Sequence, residues 1–460
     1  MPFHELAPPL SRSPEKTWRV GTLTYSAGGI TILFFWLLFG DFAWSMRDRS
    51  IGPTTQWYLS SLKVSNLVFG SILYSFPAVL SLILGPIVSV KSDRHRGRWG
   101  RRIPFLLFAT PLAAAGMVGI GISPLVASRI HSYFPAQDET LVALVCFGVF
   151  WSIFEFASLL SQNVFGGLIN DVVPKELLGR FFGLFRAVSL IDGMIFNYWV
   201  LGSIPVHFSL IVILIGISYG LAFMLVCFKV KEGKYPAPPP DADNSRSVLG
   251  NYRSEAADYL RVCFGKRYYI AIFFMWVLAY VSFMPVNIFS LPYAKSLAIN
   301  MDTYGKYLAL TYLVSLCLSY FLGWLVDLYH PMRIAIVALF GYFLVSSFGF
   351  FFARSPETFL TAWVMHGVLS GCYLTAAASL TQRLFPHERF AQYASAAGIM
   401  LALASMSIPP AMGRIIDLSG NNYRYTFGAG CVLAVGALIL FIYVYRRFVR
   451  YGGVGGYVAP

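Results

Sequence analysis

Apolar residues in this chain come in twelve long blocks, at about 20–45, 63–90, 103–126, 140–168, 179–203, 207–229, 268–291, 304–327, 333–353, 357–381, 389–412 and 424–446. Each can cross a hydrocarbon layer as a helix, which takes about 20 residues at a rise of 1.5 Å each. The pattern predicts an all-α membrane protein with twelve transmembrane helices, and an even number of crossings returns both chain ends to one side. The longest polar interruption, Lys229 to Arg267, contains Tyr235-Pro236-Ala237-Pro238-Pro239-Pro240 and reads as a linker, with a short surface helix near 255–263. It separates two six-helix bundles, 20–229 and 268–446. The linker itself is 230–267, and the tails are 1–19 and 447–460. The second tail ends in a Gly-rich stretch, 452–460, expected to be disordered.

Charge orients this frame. Of the 35 Lys and Arg, 26 fall in the tails, the even-numbered loops and the helix ends beside them, and nine at the opposite end. Cationic loops stay in the cytoplasm, so both termini are expected there, in a cell (inner or plasma) membrane. The densest break is Lys91 to Arg102, with six Lys and Arg and one Asp between helices 2 and 3. Only 12% of residues are charged, against about 25% in a soluble domain, which excludes an ordinary soluble enzyme. The net charge of +14 lies between apolar runs, which suits retention on the cytoplasmic side and anionic lipid headgroups better than nucleic acid. The six Cys sit in or beside apolar runs without metal-site spacing and read as core residues. The first apolar run is too long for a cleavable leader and is expected to remain as a helix.

The halves echo one another. Gly85-Pro86-Ile87-Val88 before Asp93 is answered by Gly323-Trp324-Leu325-Val326-Asp327 before Arg333. Pro174-Lys175-Glu176, then Gly179-Arg180-Phe181, is answered by Pro386-His387-Glu388, then Ala391-Gln392-Tyr393. Repeats of this kind place a solute site between the halves near the midplane. Twelve helices in two halves with a Gly…Asp-Arg…Gly-Arg-Arg loop resemble the major facilitator superfamily. The run Ser92 to Phe105, with Asn170-Asp171-Val172-Val173-Pro174, is similar to the glycoside–pentoside–hexuronide sugar symporters and their sucrose-transporter relatives. That resemblance implies a cytoplasmic gate of Gly85, Asp93, Arg94, Arg98, Arg101, Arg102, Asp171, Arg180 and Asp327. Its charges would latch one conformation until solute shifts the balance; the plainer reading of the same cations is retention of the loop inside. Cation-coupled members carry acids in helix 2 where this chain has Ser81 and Gly85. A sodium site would therefore lack its charge, which favours a proton or no coupling ion.

Charges inside a bilayer are costly and usually functional. Glu155 stands mid-helix with Trp151, Ser152, Ser158 and Gln162 on its face, and reads either as a proton or hydroxyl acceptor or as a neutral helix–helix contact. Helix 5 carries Arg186, Ser189, Gly193 and Asn197 on one face with Asp192 beside it, and Arg186 and Asp192 suit a structural pair as well as a solute role. Trp276, Tyr280, Phe283 and Asn287 share a face of helix 7, which fits sugar rings or plain packing. His366 reads as a packing group or a proton carrier. Asp41 is placed near the outer interface beside Trp44 and Arg47. No nucleophile, zinc or phosphate-loop motif is present, so no enzyme, cofactor or metal is expected. The function expected is alternating-access transport of a small sugar-like solute, proton-coupled, by a monomer in the lipid bilayer. A transporter-like sensor or a lipid or lysolipid flippase are the alternatives.

Overall fold

A computed structural model of the chain describes residues 17–235, 259, 261–386 and 389–460. Twelve helical rods cross the described part. They are α1 (Ala27–Ser61), α2 (Asn66–Arg94), α3 (Ile103–Tyr133), α4 (Glu139–Val172), α5 (Leu178–Ile195, continued to Ser203), α6 (Ile204–Lys229), α7 (Arg267–Ser296), α8 (Met301–Tyr329), α9 (Pro331–Phe352), α10 (Pro356–Leu384), α11 (Phe390–Leu418) and α12 (Tyr425–Arg450). Ten helical stretches are long and apolar enough to cross a membrane. One of them, Lys175–Lys229, has 55 residues, about 80 Å of helix, and so must double back. Phe181 near its start and Val226 near its end accordingly lie in one buried cluster. The chain is a multi-pass integral membrane protein.

Local chemistry sets the helix starts. Ser26 accepts the amide of Gly29 at α1, Asp138 that of Thr140 at α4 and Asn300 that of Thr303 at α8. At α10, Ser355 and Thr358 cap each other. The first helix is not the expected 20–45. Residues Trp18–Val20 and Leu23–Tyr25 form a hairpin, β1 and β2, turned by Gly21 at φ 56°, and α1 runs on to Ser61. Its polar second half survives in the membrane because Thr54 and Thr55 donate to the carbonyls of Ser50 and Ile51 one turn back.

Two further expectations are corrected or bounded. The Gly-rich end is ordered: Tyr457 stacks on Phe448 and donates to the carbonyl of Leu384, while Tyr269 donates to that of Pro460. An aromatic anchor outweighs the freedom of its glycines. Of the linker, residues 236–258 and 260 lie outside the described residues, as do His387 and Glu388 of the second repeat, while 261–264 are helical.

Three large clusters form the core. One lies wholly within the first half, around Leu37, Phe165 and Phe223, and one wholly within the second, around Phe273, Tyr342 and Phe441. The third spans both, packing Tyr58, Phe69 and Leu73 against Val286, Phe289 and Ile416. That joint cluster reaches from about mid-height, at Ile51 and Phe154, to the helix ends remote from the basic loop at 91–102. The halves are thus sealed at one end and separately packed at the other.

Candidate functional site

The first half carries its charge at mid-height. Glu155 stands at the middle of α4 and Asp192 near the middle of α5, with Asp41, Arg47, Asp48 and Arg49 around the middle of α1. Asp41 and Arg47 are fully buried, so the interfacial place expected for Asp41 is wrong. The fall in hydropathy near residue 45 ends the predicted first helix there, with Asp41 near its end and Arg47, Asp48 and Arg49 in the loop that follows. The available signal was a polar stripe at Asp41, Ser45, Arg49, Gly52 and Gln56, spaced three and four apart.

Two groupings follow. Arg49 donates to Ser189 through Nε at 3.3 Å and Nη2 at 2.9 Å, lies 5.2 Å over the ring of Tyr312 from the second half, and is in electrostatic reach of Asp48 and Asp192. Asp192 is fully buried with neither carboxylate oxygen hydrogen-bonded, so the cation beside it is what keeps a charge there tolerable. Asp41 accepts from Ser45 at 3.2 Å and sits in electrostatic reach of Asp192. The second grouping is Arg47, caged between Trp44 at 3.9 Å, Tyr219 at 4.9 Å and Phe154 at 5.5 Å, with Glu155 within reach of its charge. Cation–π contact replaces the water this guanidinium has lost. Glu155 is half-buried and Asp48, Gln162 and Arg186 are exposed, and Asp48 is felt at both Glu155 and Arg49. These accessible polar side chains are the candidate lining of a wet space.

Two expected members of that space lie elsewhere. Trp151 is buried, stacks on Phe147 and donates to the carbonyl of Ile72 at 3.0 Å, which is a packing role. Asn197 is buried in the α5–α8 seal: a Cβ at Gly305 would come within 2.2 Å of its carbonyl oxygen.

In the second half, Trp276, Tyr280 and Asn287 present surface, with the two rings 6.2 Å apart. Phe283 leaves their face because α7 breaks there, between Ser282 and Met284, and its ring turns onto Tyr342, His366 and Tyr373. His366 is fully buried, with Nε2 3.0 Å from Oδ1 of Asn287 and Nδ1 3.2 Å from the Tyr342 hydroxyl. That hydroxyl donates to the Ser282 carbonyl, so it accepts from Nδ1–H. Nε2 is then bare in the neutral ring and needs a donor, which the Asn287 amide supplies once turned over. A doubly protonated ring would be a buried cation without a counter-ion. Of the two readings of His366, the geometry carries the packing one: it orients Asn287.

The gate residues of the first half assemble among themselves. Asp171 receives Arg101 through Nε at 2.8 Å and Nη2 at 2.5 Å, and Arg102 through Nε at 3.3 Å. Arg102 also donates to Ser92 at 2.6 Å and pairs with Asp93. The organiser of the loop is a residue that no motif in the sequence singles out. Glu232, just past α6, accepts the backbone amides of Arg101, Arg102 and Ile103 at 2.9, 2.8 and 2.7 Å, capping α3. Gly85, Arg94, Arg98 and Arg180 are at or near the surface, and the side chain of Asp327 lies outside the described residues.

At the sealed end, Asp417 of α11 caps α2 across the interface. Its oxygens accept from the Asn66 amide and Nδ2 at 2.9 and 2.8 Å and from the Leu67 amide at 3.0 Å, while Asn66 also meets Asn421 and Tyr423. Gly413 permits this approach, since a Cβ there would stand 2.3 Å from the Asn66 carbonyl oxygen.

The sequence profile of the Major Facilitator Superfamily matches residues 277–452. Among solved structures, a bacterial homolog of the human lysosomal transporter Spinster, inward-facing and unoccupied, aligns at TM-score 0.66 and 14% identity over 92% of this chain and 98% of that one. A bacterial homologue of the iron transporter ferroportin, inward-facing, aligns at 0.67 and 15% over 90% and 98%. A D-xylose–proton symporter aligns at 0.62 and 14% over 89% and 97%. Twelve helices in two bundles, closed on each other at one end, give this chain the major facilitator fold.

Proposed function

We propose that the protein is a secondary transporter that carries a small polar solute, a mono- or oligosaccharide or glycoside, by alternating access. The observation that carries this reading is the pairing of two unlike faces at mid-membrane. The first half offers the exposed Asp48, Gln162 and Arg186 and the half-buried Glu155, and the second an aromatic pair beside an amide, Trp276, Tyr280 and Asn287. Carboxylates and amides suit hydroxyls, and ring faces suit the C–H faces of a sugar. One sealed end and one separately packed end is the geometry of a rocking pair caught open on one side.

The open end carries the basic loop, and the charge bias assigns it to the cytoplasm, with both termini and a cell-membrane location. Glu155 is the proposed proton carrier: it is a half-buried carboxyl at the middle of a membrane helix, with accessible polar neighbours through which a proton could come and go.

Uptake into proteoliposomes across a panel of labelled sugars, with and without an imposed pH gradient, tests this. At least one sugar should accumulate with the gradient, and Glu155→Gln should abolish accumulation while leaving exchange of that sugar across the membrane. No sugar uptake, with labelled lipid moving instead, would sink the solute class. Full accumulation by Glu155→Gln would sink the coupling assignment.

A further inference from the structure

Beside the gate, and sharing its Arg98, lies a cavity of 610 Å³ lined also by Arg96, Trp99, Lys231 and Lys234 around Phe228. Among the described residues its one acid is Glu232, whose oxygens are taken by three backbone amides and the Tyr235 hydroxyl. Arg96 is held in place by the carbonyls of Asp93 and His95 at 2.6 and 2.8 Å, with its plane 5.7 Å from the Tyr235 ring. Arg98, Lys231 and Lys234 are exposed, so four cations converge on a space whose one anion is already engaged.

One wall is apolar and sits where lipid begins. Trp99 and Phe228 meet edge to face at 5.9 Å and remain 47% and 52% exposed, Phe228 being one residue before the end of a membrane helix. Tryptophan at that level marks the headgroup region. Cations facing the headgroups and aromatic edges facing the acyl chains match a molecule that is anionic at one end and apolar at the other.

We propose that this cavity is a discrete binding site for one anionic glycerophospholipid, its phosphate held by Arg98, Lys231 and Lys234 and its upper acyl chain laid against Trp99 and Phe228. The site is independent of the solute reading, since its lining shares no residue with the proposed solute faces. A lipid seated there bears on Glu232 and the loop it caps, the same loop that holds Asp93, Arg101 and Arg102.

The test uses the full-length protein in phosphatidylcholine nanodiscs with increasing phosphatidylglycerol, released into native mass spectrometry to count retained lipid. The wild type should keep one phosphatidylglycerol at least five times more often than its share of the bilayer. Arg98→Gln/Lys231→Gln/Lys234→Gln should bring retention down to that share. Arg446→Gln/Arg447→Gln/Arg450→Gln, which removes the same charge from the last turns of α12, should leave it unchanged. Lys234→Gln alone, an exposed single change that tests the site should the triple variant misfold, should lower retention two- to threefold. Equal retention by wild type and either site variant, or equal loss in the α12 control, overturns the proposal. Displacement of the lipid by millimolar inorganic phosphate would show an anion hole without lipid selectivity and would overturn it as well.

Discussion

Arg49 is the residue on which the charged interior of the first half turns. It links Ser189 by two hydrogen bonds, has Asp192 in electrostatic reach, and touches Tyr312 of the other half. Removing one member of a buried pair strands the other. Arg49→Gln should therefore lower the melting temperature more than Asp192→Asn, and adding Asp192→Asn to Arg49→Gln should restore part of the loss. A double-mutant cycle should give a coupling of about 0.5–3 kcal/mol, and additive losses would dissolve the pair. His330 offers a second check, outside the membrane spans. Burial, then the like charges of Arg383 and Arg333, lowers it from 6.5 to about 4. The neutral ring is also the one that works, since Nδ1 accepts the Met332 amide at the start of α9. The unfolded chain takes up this proton near pH 6.5 and the folded chain only near about 4. Stability is therefore complete above the upper value and falls as pH drops through that window. Melting curves between pH 7.5 and 5 should show this fall, and His330→Asn should flatten it.

At the scale of elements, α1 and the α2–α11 contact decide most. α1 shows how a helix outlasts its hydropathy: its hydroxyls return to its own carbonyls, Arg49 is bound by Ser189 and Arg47 is caged by aromatic rings. Two of the nine cations counted for the sealed end, Arg47 and Arg49, are thus interior, which sharpens the charge difference between the two ends. The α2–α11 contact is a helix start capped from the other half, and Asp417 supplies both charge and acceptors for three donors. Asp417→Ala should weaken the seal by about 1–3 kcal/mol, the cost of leaving such donors unmet. A thiol reagent applied from the sealed side should then label a cysteine placed at Asn421 several-fold faster than in the parent. Unchanged labelling would mean that apolar packing alone closes that end.

For the molecule as a whole, the proposed alternating access would make the Asp417 seal and the Asp93–Arg102 loop opposite ends of one equilibrium. Strengthening either should bias which side is open. The twelve crossings, the two halves and the asymmetry of charge were legible in the sequence, because apolar block length and cationic loops are one-dimensional quantities set by bilayer thickness and the cost of moving charge. Glu155, Arg186 and Asp192 were legible for the same reason, as charges inside apolar runs. For the extension of α1 through Arg47 and Arg49 the sequence held only the polar stripe from Asp41 to Gln56, which does not decide between helix and loop, because helix length there depends on partners from α4, α5 and α6. Nor could it show that His366 supports Asn287, that Trp151 and Asn197 pack away from the wet space, or that Glu232 caps α3 from beyond α6. These are contacts between residues tens to more than a hundred positions apart. A chain read in one dimension gives a charge its cost, but only the tertiary structure gives it a partner.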